Sequence, residues 1–235
     1  MTNAIAQKGR PTVSRTVTVT VGLMFLLTGA LLSILTLFPL TNWWSLFILF
    51  PGLIFLGTGA ALWIILRMRH PAALSFIGVG LVVCAVAAMF LLGADWGMWW
   101  PLMVIAPGVA FALLGAAEVD EPSVRPWVRM HLWVGADVLL LGLVFLFNNF
   151  IRNAILDAWY PFHWWGVFIL LPGLGAFYNA ANAVRSGFDG RHLVVRSLAA
   201  FGSAACAVTV ATFLNTGWDL QLAAGLVSAG IVFIL

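Results

Sequence analysis

Residues 42–52 read NWWSLFILFPG, a tryptophan pair and an apolar run that ends on proline and glycine. The phrase returns as MWWPLMVIAPG at 98–108 and as HWWGVFILLPG at 163–173. In each copy the second tryptophan precedes the proline by seven residues: Trp44 to Pro51, Trp100 to Pro107, Trp165 to Pro172. Seven helical residues rise ~10 Å. An interfacial tryptophan therefore puts its proline about a third of the way into a hydrocarbon core roughly 30 Å thick. A degraded fourth copy, NTGWDLQLAAGLVSAG at 215–230, has Ala224-Gly225 where the others have Pro-Gly. The phrase recurs about every 53 to 65 residues, the length of a helical hairpin.

The composition around these copies is that of an integral membrane protein. Apolar residues make up 63% of the chain and charged residues 8%, against roughly a quarter charged in soluble domains. Mean hydropathy is +1.07. The pI of 9.4 does not indicate nucleic-acid binding, because the basic residues are scattered over short loops and form no patch. Cutting the sequence at its charged and Pro/Gly-rich breaks leaves eight apolar runs, at about 17–39, 43–66, 72–93, 98–117, 127–149, 163–184, 193–214 and 218–235. A spanning helix needs about 20 mostly apolar residues. A barrel strand would alternate apolar and polar residues, which these runs do not. The expected fold is an all-α membrane protein of eight spans. It is arranged as four parallel helical-hairpin repeats (about 17–69, 70–120, 125–187 and 190–235) in one transmembrane domain, 17–235. A polar segment, 1–16, precedes it; without a cleavage pattern behind it, it is expected to be retained.

With the N-terminus inside, one side holds Lys8, Arg10, Arg15, Arg67, Arg69, Arg125, Arg129, Arg185, Arg191 and Arg196, and the other holds Arg152 alone. The positive-inside rule then makes both termini cytoplasmic. The tryptophans sort to the opposite side: Trp43, Trp44, Trp96, Trp99, Trp100, Trp159, Trp164, Trp165 and Trp218 form the aromatic belt expected at the outer headgroup level. The expected location is a bacterial-type cell (inner) membrane. Pro51, Pro107 and Pro172 are expected to kink their helices, with the following glycine admitting a neighbouring backbone.

Catalytic chemistry is not written into the chain. Walker, nucleophile-elbow, zincin and dinucleotide motifs are absent, and no enzymatic activity, metal or cofactor is expected. Asp137 stands out because an ionisable residue inside a span is a functional candidate by default. It lies eight residues past Arg129, ~12 Å deeper along the helix. Three roles are open to it: a carboxyl hydrogen-bonded to a neighbouring helix, a proton or ion relay, or a contact to a partner subunit. His70, His131, His163 and His192 fall near helix ends and suit interfacial anchoring. His163, beside Trp164 and Trp165, is the weak candidate for a haem or chlorophyll ligand. Asn179 and Asn182 share a helix face near the cytoplasmic end of the sixth span and suit an interhelical hydrogen bond or termination of the helix. Cys84 and Cys206 each stand twelve residues before a tryptophan and occupy matching positions of copies two and four; neither belongs to a disulfide framework. The small-residue run SLAAFGSAACAVTVAT at 197–212 suits close helix contact. FIRNAILDAWYPF at 150–162 has the pattern of a short helix lying in the membrane surface.

MWWPLMVIAPGVAFALLG at 98–115, and next NWWSLFILFPGLIFLGTG at 42–59, resemble the transmembrane hairpin region of LiaF- and LiaI-like bacterial membrane proteins. Family members often carry a soluble C-terminal domain, whereas this sequence ends at Leu235, at the close of its eighth run. The resemblance implies modulation of membrane-stress two-component signalling. Composition and motif content by themselves suit a non-enzymatic protein working through helix–helix contacts, including an accessory subunit of a larger respiratory or photosynthetic complex. The alternative is a carrier of a small solute, lipid or proton using Asp137. Bound lipids and other integral membrane subunits are the expected partners; nucleic acid is not.

Overall fold

The computed structural model describes residues 21–22, 24–26, 28–30, 33, 42–66, 68–151 and 163–235. The chain divides into two units, Met1–Trp44 and Ser45–Leu235. In the first unit the described residues between 21 and 33 are helical. The N-terminal segment and the rest of the expected 17–39 span lie outside the described residues, as do Arg152, Trp159 and most of the 150–162 connection.

The second unit is helical throughout its described elements. After a 3-10 turn, Trp43–Ser45, come α1 (Leu46–Leu66), α2 (Pro71–Leu91), a single-turn α3 (Trp96–Trp99) and α4 (Leu102–Gly115). Then follow α5 (Arg125–Phe150), α6 (Gly166–Arg185), α7 (Leu193–Phe213) and α8 (Trp218–Ile234). Six stretches are long and apolar enough to cross a membrane: Trp43–Leu66, Pro71–Leu91, Trp96–Gly115, Arg125–Phe150, Gly166–Arg185 and Leu193–Phe213. Each matches an expected span to within three residues at either end. The eighth run forms α8, an apolar helix of 17 residues and shorter than those six. Large apolar side chains point outward from these helices, among them Phe47, Ile64, Leu226 and Ile231, each more than half exposed. In water such a surface would drive aggregation; in lipid it is the solvated face.

Local chemistry sets the helix limits. Pro71 and Pro126 occupy first-turn positions, where the missing N–H has no helical partner in any case. His70 and His192 are N-caps: each Nδ1 accepts a hydrogen bond at 3.2 Å, from Ala72 N–H and Val194 N–H respectively. Asp95 Oδ1 accepts from Gly97 N–H at 3.0 Å and starts α3. Gly187, at φ +98, turns the chain out of α6 in a conformation that costs a side-chain-bearing residue energy. Pro51, Pro107 and Pro172 lie inside α1, α4 and α6, and each helix continues unbroken through its proline. In α1 and α6 the tryptophan pair sits in the turn just before the helix begins, and before α4 it straddles the end of α3 and the turn that follows.

Among the described residues of the second unit every extensive contact joins helices adjacent in the chain, and all these pairs run antiparallel. The closest pairs are α1 with α2, α4 with α5, α6 with α7, and α7 with α8; α2 with α4 and α5 with α6 pack more lightly. The tightest pairing is thus out of phase with the hairpins 70–120 and 125–187 as delimited in the sequence. Glycine is the physical reason. A Cβ added at Gly52 would lie 2.7 Å from Cys84 Sγ; at Gly108, 2.7 Å from Leu139 N; at Gly173, 2.7 Å from Ala205 Cβ. A glycine on the following helix faces each of them. A Cβ at Gly80, Gly135 or Gly202 would lie 2.9, 2.8 or 2.9 Å from the carbonyl oxygen of Gly52, Gly108 or Gly173. The same crossing therefore occurs three times, built from the glycine after each repeated proline. Hydrophobic burial gives helices little reason to associate inside lipid, so backbone approach at small residues is what holds such pairs.

Alternation of direction collects the aromatic helix ends of the second unit on one side. Phe90 stacks with Trp96 and Trp165 with Trp218, at ring separations of 5.8 and 5.5 Å. Phe145 contacts both Trp100 and Trp164 at 4.9 and 6.0 Å. The opposite end carries the described arginines, and there Glu118 N–H donates to Arg69 O at 2.8 Å and ties two loops together.

Candidate functional site

Asp137 is buried in α5, at 7% exposure. Met130, Trp133 and Asp137 follow one another at i, i+3 and i+7, a single helical stripe. Met130 belongs to a core cluster with Ala176, Ala180 and Leu198. Trp133 lies so close to α6 that a Cβ at Gly175 would meet its ring at 2.3 Å. The stripe therefore faces α6. Asp137 Oδ1 has no hydrogen-bond partner among the described residues. At the two matching positions, two residues past Gly80 and Gly202, the sequence has Val82 and Ala204. The carboxyl is an individual addition to an otherwise apolar pattern.

Asn179 is buried in α6, and its Nδ2 likewise lacks a partner. The two unpaired groups do not meet. Trp133 and Gly175 mark one level of the antiparallel pair, with Asp137 a turn to one side and Asn179 a turn to the other, ~12 Å apart along the axis. Asn182 stands one turn beyond Asn179. Both line a cleft of about 230 Å³ together with Arg125 and Arg129 at the start of α5.

The remaining polar groups mostly tie helices together. Asn149 Nδ2 donates to Gly97 O and Met98 O at 3.2 and 3.0 Å, fastening the end of α5 to α3. Thr209 Oγ1 donates to Ala205 O at 2.8 Å and lies 3.3 Å from Gly166 O. Ser203 and Ser228 hydroxyls join α7 to α8, and Arg196 Nη1 donates to Phe233 O at 3.1 Å. In Gln221 the Nε2 donates to Thr216 O at 2.8 Å while the buried Oε1 has no partner among the described residues.

The other candidates fall apart from one another. His163 precedes α6; Gly166 N–H donates to its backbone carbonyl at 2.9 Å. His131 Nδ1 lies 3.1 Å from Trp127 O, and its ring stacks on Phe111 at 6.0 Å. Among the described residues, no three His, Cys, Asp or Glu side chains are grouped as a metal site would need. Cys84 and Cys206 are free and half-buried, each four residues past a crossing glycine, Gly80 or Gly202. Trp43 and Trp44 are exposed within their 3-10 turn.

Sequence reasoning passed over two features. The first is that Gly80, Gly135 and Gly202, each legible singly as a packing glycine or part of a small-residue run, form one recurring set; its signal is the pattern GLVVC, GADVL and GSAAC, a glycine with Cys or Leu four residues on. The second is Arg129, read only as a topology charge. What the arrangement can do chemically is hold helices together and present isolated polar groups at helix faces. No protein-family model matches the chain, and no curated protein or solved structure is significantly similar to it.

Proposed function

We propose that the chain is a non-enzymatic polytopic membrane protein that acts through helix–helix contacts. The observation that carries this reading is the thrice-used glycine crossing, Gly52 with Gly80, Gly108 with Gly135, and Gly173 with Gly202. The conspicuous sequence features are devoted to contact geometry, while the buried polar groups stay dispersed. Within this class the WWPL-type hairpins favour a LiaF-like modulator of membrane-stress signalling, and an accessory subunit of a larger membrane complex is the companion reading. Four parallel hairpin repeats, eight spans and cytoplasmic termini in a cell membrane complete the proposal. Its support is that the described arginines gather at one set of helix ends and most tryptophans at the other, with Trp63 and Trp127 as exceptions at the basic ends.

Two measurements test it. Cysteine-accessibility mapping on a background with Cys84 and Cys206 replaced should label position 120 only from the cytoplasm and position 216 only from outside; the reverse pattern would reject the topology. Mild-detergent purification followed by native mass spectrometry should find an integral membrane partner, a sensor kinase for a modulator or cofactor-bearing chains for an accessory subunit. A chain that purifies alone from its own membrane would sink both readings. A second reading, a carrier, is favoured by Asp137, whose buried Oδ1 lacks a partner. It requires that Asp137→Asn abolish transport.

A further inference from the structure

The cleft between the start of α5 and the end of α6 carries an inference of its own. Its wall contains Arg125 and Arg129 from α5, Asn179, Asn182 and Ser186 from α6, and Phe188 from the loop beyond. Among the described residues no carboxylate lines it. Arg125 is held in place because its Nε and Nη2 donate to Val119 O at 3.3 and 3.2 Å. Arg129, one turn further along α5, has no hydrogen bond or ion pair among the described residues. Ser186 Oγ donates to the Asn182 backbone carbonyl at 2.8 Å, and the Asn182 side-chain amide has no hydrogen bond among the described residues. At the inner wall stands Asn179, 2% exposed, with its Nδ2 unpartnered.

A buried amide without an acceptor costs stability, and Arg129 has no acidic partner among the described residues. One occupant relieves both: an oxyanion that accepts from the amide and neutralises the arginines. A volume of about 230 Å³ exceeds what one phosphate fills and leaves room for the glycerol beside it. The cleft opens at the basic helix ends, the level where headgroups lie beside a spanning bundle. We propose that this cleft binds the phosphate of an anionic phospholipid, with Arg129 and Arg125 contacting the charge and Asn179 and Asn182 donating to its oxygens. Without a carboxylate to receive an ammonium, choline- and ethanolamine-bearing lipids are disfavoured.

The test uses the full chain, purified in a neutral detergent and titrated with phosphatidylglycerol, phosphatidylcholine or inorganic phosphate, with binding read by native mass spectrometry and thermal shift. Phosphatidylglycerol should be retained in preference to phosphatidylcholine. Arg129→Gln, at an exposed position that does not threaten folding, should weaken it about tenfold, the scale of one charged hydrogen bond. Asn179→Leu should weaken it similarly, and Arg191→Gln, a basic residue outside the cleft, should leave it unchanged. Equal loss in Arg191→Gln would reduce the effect to general surface charge and overturn the site. Equal binding of the two lipids would do the same. Inorganic phosphate binding as tightly as phosphatidylglycerol, and displacing it, would reassign the cleft to free phosphate and overturn the lipid assignment.

Discussion

Gly135→Leu should strip the bundle of its central crossing and leave little folded protein in detergent. A Cβ at Gly135 would stand 2.4 Å from Ala112 N and 2.8 Å from Gly108 O. These are backbone atoms and cannot rotate aside, so even Gly135→Ala forces α4 and α5 apart. Overpacking of this kind costs about 1–3 kcal/mol, roughly a 5- to 150-fold change in the folded ratio, and leucine lies at the upper end. Gly108→Leu, on the other side of the same contact, should behave alike. Gly57→Ala is the control: it lies in α1 with open space where its Cβ would go, so stability should hold or rise slightly. Unfolding in a denaturing-detergent titration reads all four. Equal stability of Gly135→Leu and the parent would mean that the crossing does not hold α4 to α5.

The second large effect concerns Asp137, and its direction is unusual for a buried position. Asp137→Val should stabilise the isolated chain by about 1–3 kcal/mol, the cost of a buried polar atom left without a partner. Valine already occupies the matching place in α2, Val82, so side chains of that shape suit the pattern. Asp137→Asn keeps the polarity and should gain much less. If the carboxyl is the group a partner helix recognises, the stabilised variant should also lose that partner during purification. A destabilised Asp137→Val would show instead that the acid holds α5 to α6 in the native bundle. Loss of transport in Asp137→Asn would favour the carrier reading over the contact reading.

These two residues also mark the limit of what the sequence made legible. The spans from 43 onward could be read because hydropathy, tryptophans and charges each have a physical period or location that survives in one dimension. The Pro-Gly copies could be read because they recur. Their partners could not: Gly80, Gly135 and Gly202 stand in apolar runs where glycine is common, and only the antiparallel register shows what each faces. Charge-delimited hairpins say which helices are joined by a loop and nothing about which face is turned to which neighbour. Asp137 announced itself by polarity alone, and Asn179 and Asn182 by a shared face. The arginines that join those asparagines around one cleft lie fifty to fifty-seven residues away in sequence, where they read as topology charges.

The adjacency of every closely packed pair has a consequence for biosynthesis. Gly52 and Gly80 are separated by twenty-eight residues, so the loop that must close is short and its entropic cost small. Each helix leaving the insertion machinery meets its tightest neighbour as soon as the next one or the previous one is in the bilayer. Contacts this local favour rapid folding. A ribosome that stalls beyond Leu91 leaves α1 and α2 already matched in the membrane, with Gly78 still waiting for Ala110 of α4; one that stalls beyond Phe150 leaves α4 and α5 matched as well.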